Sequence, residues 1–164
     1  MSYRLEPMAE PHRKQVVDLY NHYVETSFAA YPETSAPYEL FDRFLAVTRG
    51  YPALVATSKE TEDVVGFAFL HPYHPATSFN RTAEVTYFVY PAHTRQGLGT
   101  RLLQSLEEAA RPLGVDCLLA NVSSRNEASL EFHRKHGFAE CGRFREIGRK
   151  RGEGFDVVWF QERL

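Results

Sequence analysis

The stretch Tyr90-Pro91-Ala92-His93-Thr94-Arg95-Gln96-Gly97-Leu98-Gly99-Thr100 joins a segment with strand composition to one with helical periodicity. Before it, residues 81–90 are rich in Val, Thr, Tyr and Phe, which favour a pleated backbone, and they stop at Pro91. After it, Leu102, Leu103, Leu106, Ala109 and Ala110 recur on one side of a helix over 100–111, which Pro112 and Gly114 end. Gly97 and Gly99 let the chain turn tightly and let a ligand approach bare amide N–H groups. The first helical turn adds unpaired N–H groups and the positive end of the helix dipole. Arg95, Gln96, Gly97, Leu98, Gly99 and Thr100 are therefore a candidate cradle for an anion, most naturally a phosphate, with a charge-assisted contact from Arg95. A lone Gly-x-Gly is more often a plain strand-to-helix turn. The dinucleotide fingerprint is excluded, because its third glycine is Leu102, and so is the nucleoside-triphosphate loop, because no Gly-Lys-Ser/Thr occurs.

Outward from this turn the periodicity alternates between helix and strand. Val16, Val17, Tyr20, Tyr23 and Val24 mark an amphipathic helix over 11–24, with Pro11 in its first turn. Residues 27–37 hold two prolines and several aromatics, and read as a long loop with a binding role. Leu40, Phe41, Phe44 and Leu45 predict a second helix that Gly50 stops. Strands at 53–57 and 64–71 make a hairpin, and a proline-containing connection leads to the strand before the glycine turn. A buried strand is expected over 115–122, a helix over 126–136 closed by Gly137, and two last strands over 138–142 and 155–161.

Composition narrows the class. The 164 residues, 43% hydrophobic with 12 Phe and 9 Tyr, can build one core in a single domain over 1–164 without disulfides. Two cysteines are fewer than a disulfide-dependent secreted domain carries, and no apolar run reaches a membrane span, so a soluble, unprocessed cytoplasmic protein is expected, with no membrane partner. A net charge of −2 argues against a nucleic-acid partner. Arg143, Arg145, Arg149, Lys150 and Arg151 form a local basic cluster, read as a solvated loop in preference to a site for an acidic acceptor. The His133/His136 and His71/His74 spacings lack a completing ligand set, so no metal site is expected. Cys117 reads as core, and Cys141 has no sequence partner for nucleophilic catalysis.

A second motif, Asn126-Glu127-Ala128-Ser129-Leu130-Glu131-Phe132-His133-Arg134-Lys135-His136-Gly137-Phe138, follows the glycine turn after one helix and one strand. The pair resembles the GCN5-related N-acetyltransferase (GNAT) superfamily over about residues 53–138. A closer resemblance, to its phosphinothricin and methionine sulfone acetyltransferase branch, rests on Leu19-Tyr20-Asn21-His22-Tyr23-Val24, Tyr51-Pro52-Ala53-Leu54-Val55-Ala56, Thr82-Ala83-Glu84-Val85, Ser129-Leu130-Glu131-Phe132-His133, and Gly148-Arg149-Lys150-Arg151-Gly152 with Asp156-Val157-Val158. It implies a mixed α/β fold: one twisted, mostly antiparallel sheet, splayed at its centre, with helices on both faces. It also implies acetyl-CoA as cosubstrate, a primary amine on a small amino-acid-like molecule as acceptor, and a homodimer. A peptide N-terminal acetyltransferase and a non-catalytic acetyl-CoA-binding module are the competing readings.

Acetyl transfer to an amine needs a neutral amine, a polarised carbonyl, placement, and a proton for the departing thiolate. The resemblance makes Glu84 the base, acting through water and touching the acceptor. Alternation along the strand puts Glu84, Thr86, Phe88 and Tyr90 on one face and Ala83, Val85, Tyr87 and Val89 on the other. By the same resemblance, backbone groups of Tyr87, Phe88 and Val89 hold the pantetheine arm. Asn126 either adds a contact to that arm or simply caps its helix. His133 stands where many members carry a Tyr that protonates the thiolate; it is a candidate acid, a group that orients substrate, or a half-buried helix histidine. Three positions depart from the pattern: Thr94 replaces Gln or Arg in the turn, His74 stands where an Arg pairs with the acceptor carboxylate, and Gly154, next to Phe155, replaces a C-terminal Trp. A neutral imidazole does not reproduce a guanidinium fork, so His74 is a candidate substrate contact of different chemistry.

Overall fold

The computed structural model describes residues 1–164. Seven strands form one sheet: β1 (Tyr3–Pro7), β2 (Ala53–Ser58), β3 (Val64–Pro72), β4 (Thr82–Val89), β5 (Cys117–Ser123), β6 (Ala139–Lys150) and β7 (Glu153–Arg163). Four α-helices accompany them: α1 (Arg13–Thr26), α2 (Leu40–Val47), α3 (Leu98–Ala110) and α4 (Glu127–Lys135). The strand order is β1-β2-β3-β4-β5-β7-β6, antiparallel throughout except for the central β4–β5 pair, as expected.

The two faces of the sheet carry separate cores. Val16, Val17 and Leu19 of α1 and Phe41 of α2 pack with Val55, Phe67 and Phe69. Leu98, Leu102, Leu103 and Leu106 of α3 and Leu130 of α4 pack on Ala68, Ala83, Val85, Leu118 and Phe160. The expected alternation along β4 holds: Phe88 and Tyr90 belong to the first core, Tyr87 and Val89 to the second.

The feature that positions the site is the brevity of the β4–β5 pairing. Thr82, Ala83 and Glu84 pair with Cys117, Leu118 and Leu119, and pairing ends there, although β4 runs on to Val89 and β5 to Ser123. Past Glu84, β4 leans on β3 and β5 on β7, so a wedge opens in the middle of the sheet.

Two expectations are corrected. The N-terminal segment, read without structure, forms β1, pairing Leu5 with Ala56 at the sheet edge. The basic cluster is not a solvated loop: its residues from Arg143 to Lys150 lie in β6, which is twelve residues long and joined to β7 by Arg151 and Gly152, both at positive φ (51° and 77°). That conformation matches the tight turn favoured by right-handed strand twist, and a bulge between Phe144 and Gly148 interrupts the alternation that would have revealed a long strand.

Lys150 shows what the cluster does. It is 1% exposed, and its Nζ donates to the carbonyls of Ser27 (2.6 Å) and Ala30 (2.7 Å). Arg151 donates to the Val24 carbonyl at 3.1 Å, and its own amide meets Glu33 at 2.6 Å. The two cations therefore satisfy carbonyls at and beyond the end of α1, where the helix dipole is negative. They fasten the 27–37 loop against the sheet.

Candidate active site

The glycine turn is built to leave its amides free. Arg95 (φ 58°) and Gly97 (φ 79°) take left-handed backbone, and Gly97 is the N-cap of α3. The amide N–H groups of residues 95–100 have no backbone acceptor; the first intrahelical bond runs from Arg101 to Gly97. A Cβ on Gly97 would meet nothing within 4 Å, so the space above the loop is open to a ligand. Gly99 serves a different purpose, since a Cβ there would lie 3.2 Å from the Phe132 ring of α4. It lets the two helices close up, and Thr100 secures them through His136 (Oγ1 to Nε2, 2.8 Å). Arg95 makes no ion pair within the chain and stays available to an anion, whereas the Gln96 side chain belongs to the scaffold, donating to the Ala92 carbonyl at 3.0 Å.

Strand β1 contributes here, which the sequence reading missed. The Tyr3 hydroxyl donates to Gln96 Oε1 at 2.9 Å and lies 3.0 Å from His93 Nδ1. Tyr3→Phe keeps the packed ring and removes both contacts; the affinity of the turn for a diphosphate-bearing ligand, measured calorimetrically, is expected to fall about 2- to 10-fold.

From the turn, the wedge leads down between β4 and β5. Tyr90 donates to Val65 (2.9 Å) and Tyr73 to Thr82 (3.4 Å), which fixes the parity of the β3–β4 ladder. Even-numbered residues of β4 therefore face β3 with their backbone groups, and those of Tyr87 and Val89 point into the wedge. The Val89 carbonyl takes a hydrogen bond from the Tyr23 hydroxyl. Phe88 turns its backbone to β3 and its ring to Tyr20, Tyr23 and Phe67.

At the mouth of the wedge, on the α1 face, lies Glu84. It sits opposite His71 in the β3–β4 ladder, so both side chains emerge on one face, with Nε2 3.4 Å from Oε2. The side chain of Asn121 of β5 lies beside the same carboxylate and favours its ionised form. Tyr31, from the 27–37 loop, donates to Asn121 Oδ1 at 2.8 Å and stacks on Phe155 with ring centroids 5.7 Å apart. Burial pushes the Glu84 carboxyl above its usual range, while the neighbouring His71 and Asn121 draw it partly back. Burial, then the Glu84 charge, pushes the Tyr31 phenol up to about 12.

His133 lies on the opposite face of the sheet. It is 2% exposed, between Phe138 and Phe160. Its Nδ1 donates to the Ser129 carbonyl at 2.6 Å, so the neutral ring accepts at Nε2 from the Tyr87 hydroxyl. Burial lowers its pKa to about 4 from 6.5. The folded-state value lies below the unfolded one, so its contribution to stability is complete above pH 6.5 and is lost as pH falls towards 4. The full loss is about 3 kcal/mol. Thermal melts at pH 7.5 and 4.5 are expected to show it, and His133→Gln to reduce the difference.

Asn126 accepts from the Ser129 amide at 3.2 Å as the N-cap of α4. His74 is exposed in the β3–β4 connection, its Nδ1 accepting from the Ala76 amide at 3.0 Å and its ring against Phe79. The imidazole at the carboxylate is His71, read from sequence only as half of a rejected metal pair. Tyr31, His71 and Asn121 were all missed as site residues; the cross-strand partner of Glu84 and a polar residue inside a buried strand were the available signals.

An anion cradle on a strand-turn-helix, a wedge between two parallel central strands and a half-buried carboxylate at its mouth form one continuous site. The sequence pattern of the acetyltransferase (GNAT) family matches residues 16–138. The chain belongs to that family. A phosphinothricin N-acetyltransferase of Streptomyces coelicolor is 33% identical over 164 residues, covering 98% of this chain and 96% of the relative. An L-methionine sulfoximine/L-methionine sulfone acetyltransferase of Pseudomonas paraeruginosa is 35% identical over 153 residues, 91% of this chain and 87% of its own. Among solved structures, a GNAT superfamily phosphinothricin acetyltransferase from Sinorhizobium meliloti in complex with AcCoA superposes with a TM-score of 0.92 at 26% identity, over 100% of this chain and 89% of the other. The GNAT fold expected from the two motifs is thus the fold found, and the chain is an acetyltransferase.

Proposed function

We propose that this GNAT acetyltransferase, acting as one domain over residues 1–164, transfers the acetyl group of acetyl-CoA to the primary amine of a small amino-acid-like acceptor. The observation that carries the proposal is the continuity of the unpartnered amides at 95–100, the wedge lined by Tyr87 and Val89, and Glu84 at its mouth. In it, the amides and Arg95 take the diphosphate, and the backbone of Tyr87 and Val89 takes the pantetheine arm, with Asn126 beyond them. The thioester then lies beside Glu84.

Glu84 accepts the ammonium proton of the acceptor, directly or through one water, and its raised pKa suits it to that task near neutrality. The amine nitrogen bonds to the thioester carbon, the carbon–sulfur bond breaks, and the thiolate leaves with the second proton shed by that nitrogen, the first having gone to Glu84. His133 has no proton to give near neutrality: its Nδ1–H is bound to Ser129 and its Nε2 holds Tyr87. Its role in this reading is to position Tyr87 along the wedge. The steps call on no metal ion.

A cytoplasmic location, with Cys117 and Cys141 as free thiols, and the absence of nucleic-acid and membrane partners are part of the proposal. No helix is long and apolar enough to cross a membrane. A homodimer is part of the proposal as well, for which Phe144 (57% exposed) on edge strand β6 offers apolar surface. Acetyl-dependent thiol release across amino-acid analogues, polyamines and short peptides tests the activity. Release with amino-acid analogues supports it, and release with peptides alone favours the peptide reading.

A further inference from the structure

The chemistry of the acceptor wall narrows the substrate class further, resting on the acetyl-transfer reading above. Tyr31 bridges two environments: its hydroxyl meets Asn121 beside Glu84, and its ring is one wall of an open cavity of about 200 Å³, with Ile147, Gly148, Phe155 and Val157 as the others. Four of these five residues are hydrophobic, so the space along the Tyr31 ring is apolar. Gly148 keeps that space in shape, since a Cβ there would lie 2.1 Å from the Phe155 ring.

The cations of the surrounding elements are already engaged or turned away. Lys150 is held by the Ser27 and Ala30 carbonyls, and Arg151 by the Val24 carbonyl. Arg125 donates to the Gly154 carbonyl, pairs with Glu153 and lies over the Phe28 ring. Arg143 pairs with Asp156. Arg149, between Gly148 and Lys150 on β6, projects to the opposite face, and Arg145 acts on Asp156, which also lies opposite Phe155 and Val157. At the amine end Glu84 and His71 engage each other, Nε2 3.4 Å from Oε2. None of the five residues that line the cavity is a cation, so a carboxylate placed there meets no guanidinium or ammonium in the lining. His74, exposed and packed on Phe79, supplies no substitute.

We infer that the preferred acceptor is a small primary amine with an apolar or aromatic body and no free carboxylate: an amino-acid amide or ester, or an arylalkylamine. The apolar body occupies the Tyr31–Ile147–Phe155–Val157 cavity. A buried methylene there is expected to raise kcat/KM about three- to fourfold. A carboxylate is expected to lower it at least about tenfold, as when a site leaves a charged group without a partner.

The test uses the full chain with saturating acetyl-CoA and four acceptors: L-phenylalaninamide, L-phenylalanine, glycinamide and glycine. Phenylalaninamide is expected to exceed both phenylalanine and glycinamide in kcat/KM by at least about tenfold. Two variants separate the causes. Ile147→Arg, at an exposed position on the cavity rim, is expected to shift the amide-to-acid ratio towards the acid, which differences in amine basicity cannot do. Val157→Phe fills the cavity and is expected to lower the phenylalaninamide-to-glycinamide ratio. Phenylalanine matching its amide, an amide-to-acid ratio unmoved by Ile147→Arg, or phenylalaninamide no better than glycinamide overturns the inference and leaves acetyl transfer standing. No thiol release with any of the four, nor with methionine sulfone or phosphinothricin, removes the transfer reading and the inference together.

Discussion

Replacing Glu84 with Gln is expected to lower kcat by about 10²- to 10⁴-fold while the affinity for acetyl-CoA stays within about twofold. The substitution keeps the side chain's shape but replaces the basic carboxylate, the proposed acceptor of the ammonium proton, with a non-basic amide. The proposed cofactor cradle, the free amides of residues 95–100, is built from other backbone and does not use Glu84. The pH profile carries a second readout. In the proposed mechanism Glu84 works ionised, and burial raises its pKa, so wild-type kcat/KM is expected to rise with pH through a range above that of an ordinary carboxylate. His71, 3.4 Å away, counteracts part of that elevation, so His71→Phe is expected to move the acid limb to higher pH. Full activity in Glu84→Gln removes the residue from the mechanism.

Lys150→Met is expected to destabilise the fold by about 3 to 5 kcal/mol, because two carbonyls in a closed environment lose a charged donor. For a chain of this size that corresponds to a Tm drop of about 10 °C. A longer-range effect accompanies it. Ser27 and Ala30 lead directly to Tyr31, which meets Asn121 beside Glu84. Loosening the loop is therefore expected to raise the acceptor KM with little change in acetyl-CoA affinity. Unchanged melting with normal acceptor kinetics would show that the clamp is dispensable.

The fold was legible in the sequence where periodicity and punctuation agree. Leu102, Leu103 and Leu106 name the buried face of α3, and Pro91, Gly97 and Gly114 mark its boundaries. Strand β1 was not legible, because Tyr-Arg-Leu-Glu-Pro alternates weakly and gains its order from pairing with β2 fifty residues away. Strand β6 was hidden because its surface carries arginines and its bulge disrupts the period. The centre of the site, Glu84 and the glycine turn, came from local motifs. Tyr31, His71 and Asn121 came from three separate elements, and only the register of the sheet and the fold of the loop bring them together. His133 shows the other limit: its position was readable, but the tautomer and neutrality that decide its role depend on Ser129, Tyr87 and the surrounding aromatic rings.

The account rests on the amides of residues 95–100 as the grip on a diphosphate. Titration calorimetry of the purified chain with coenzyme A, and in parallel with pantetheine, which lacks the diphosphate, addresses that most directly. The account predicts saturable binding of coenzyme A and at least about 100-fold weaker binding of pantetheine, the loss of several charge-assisted contacts. Equal binding of the two, or no heat with coenzyme A at millimolar concentration, would contradict it.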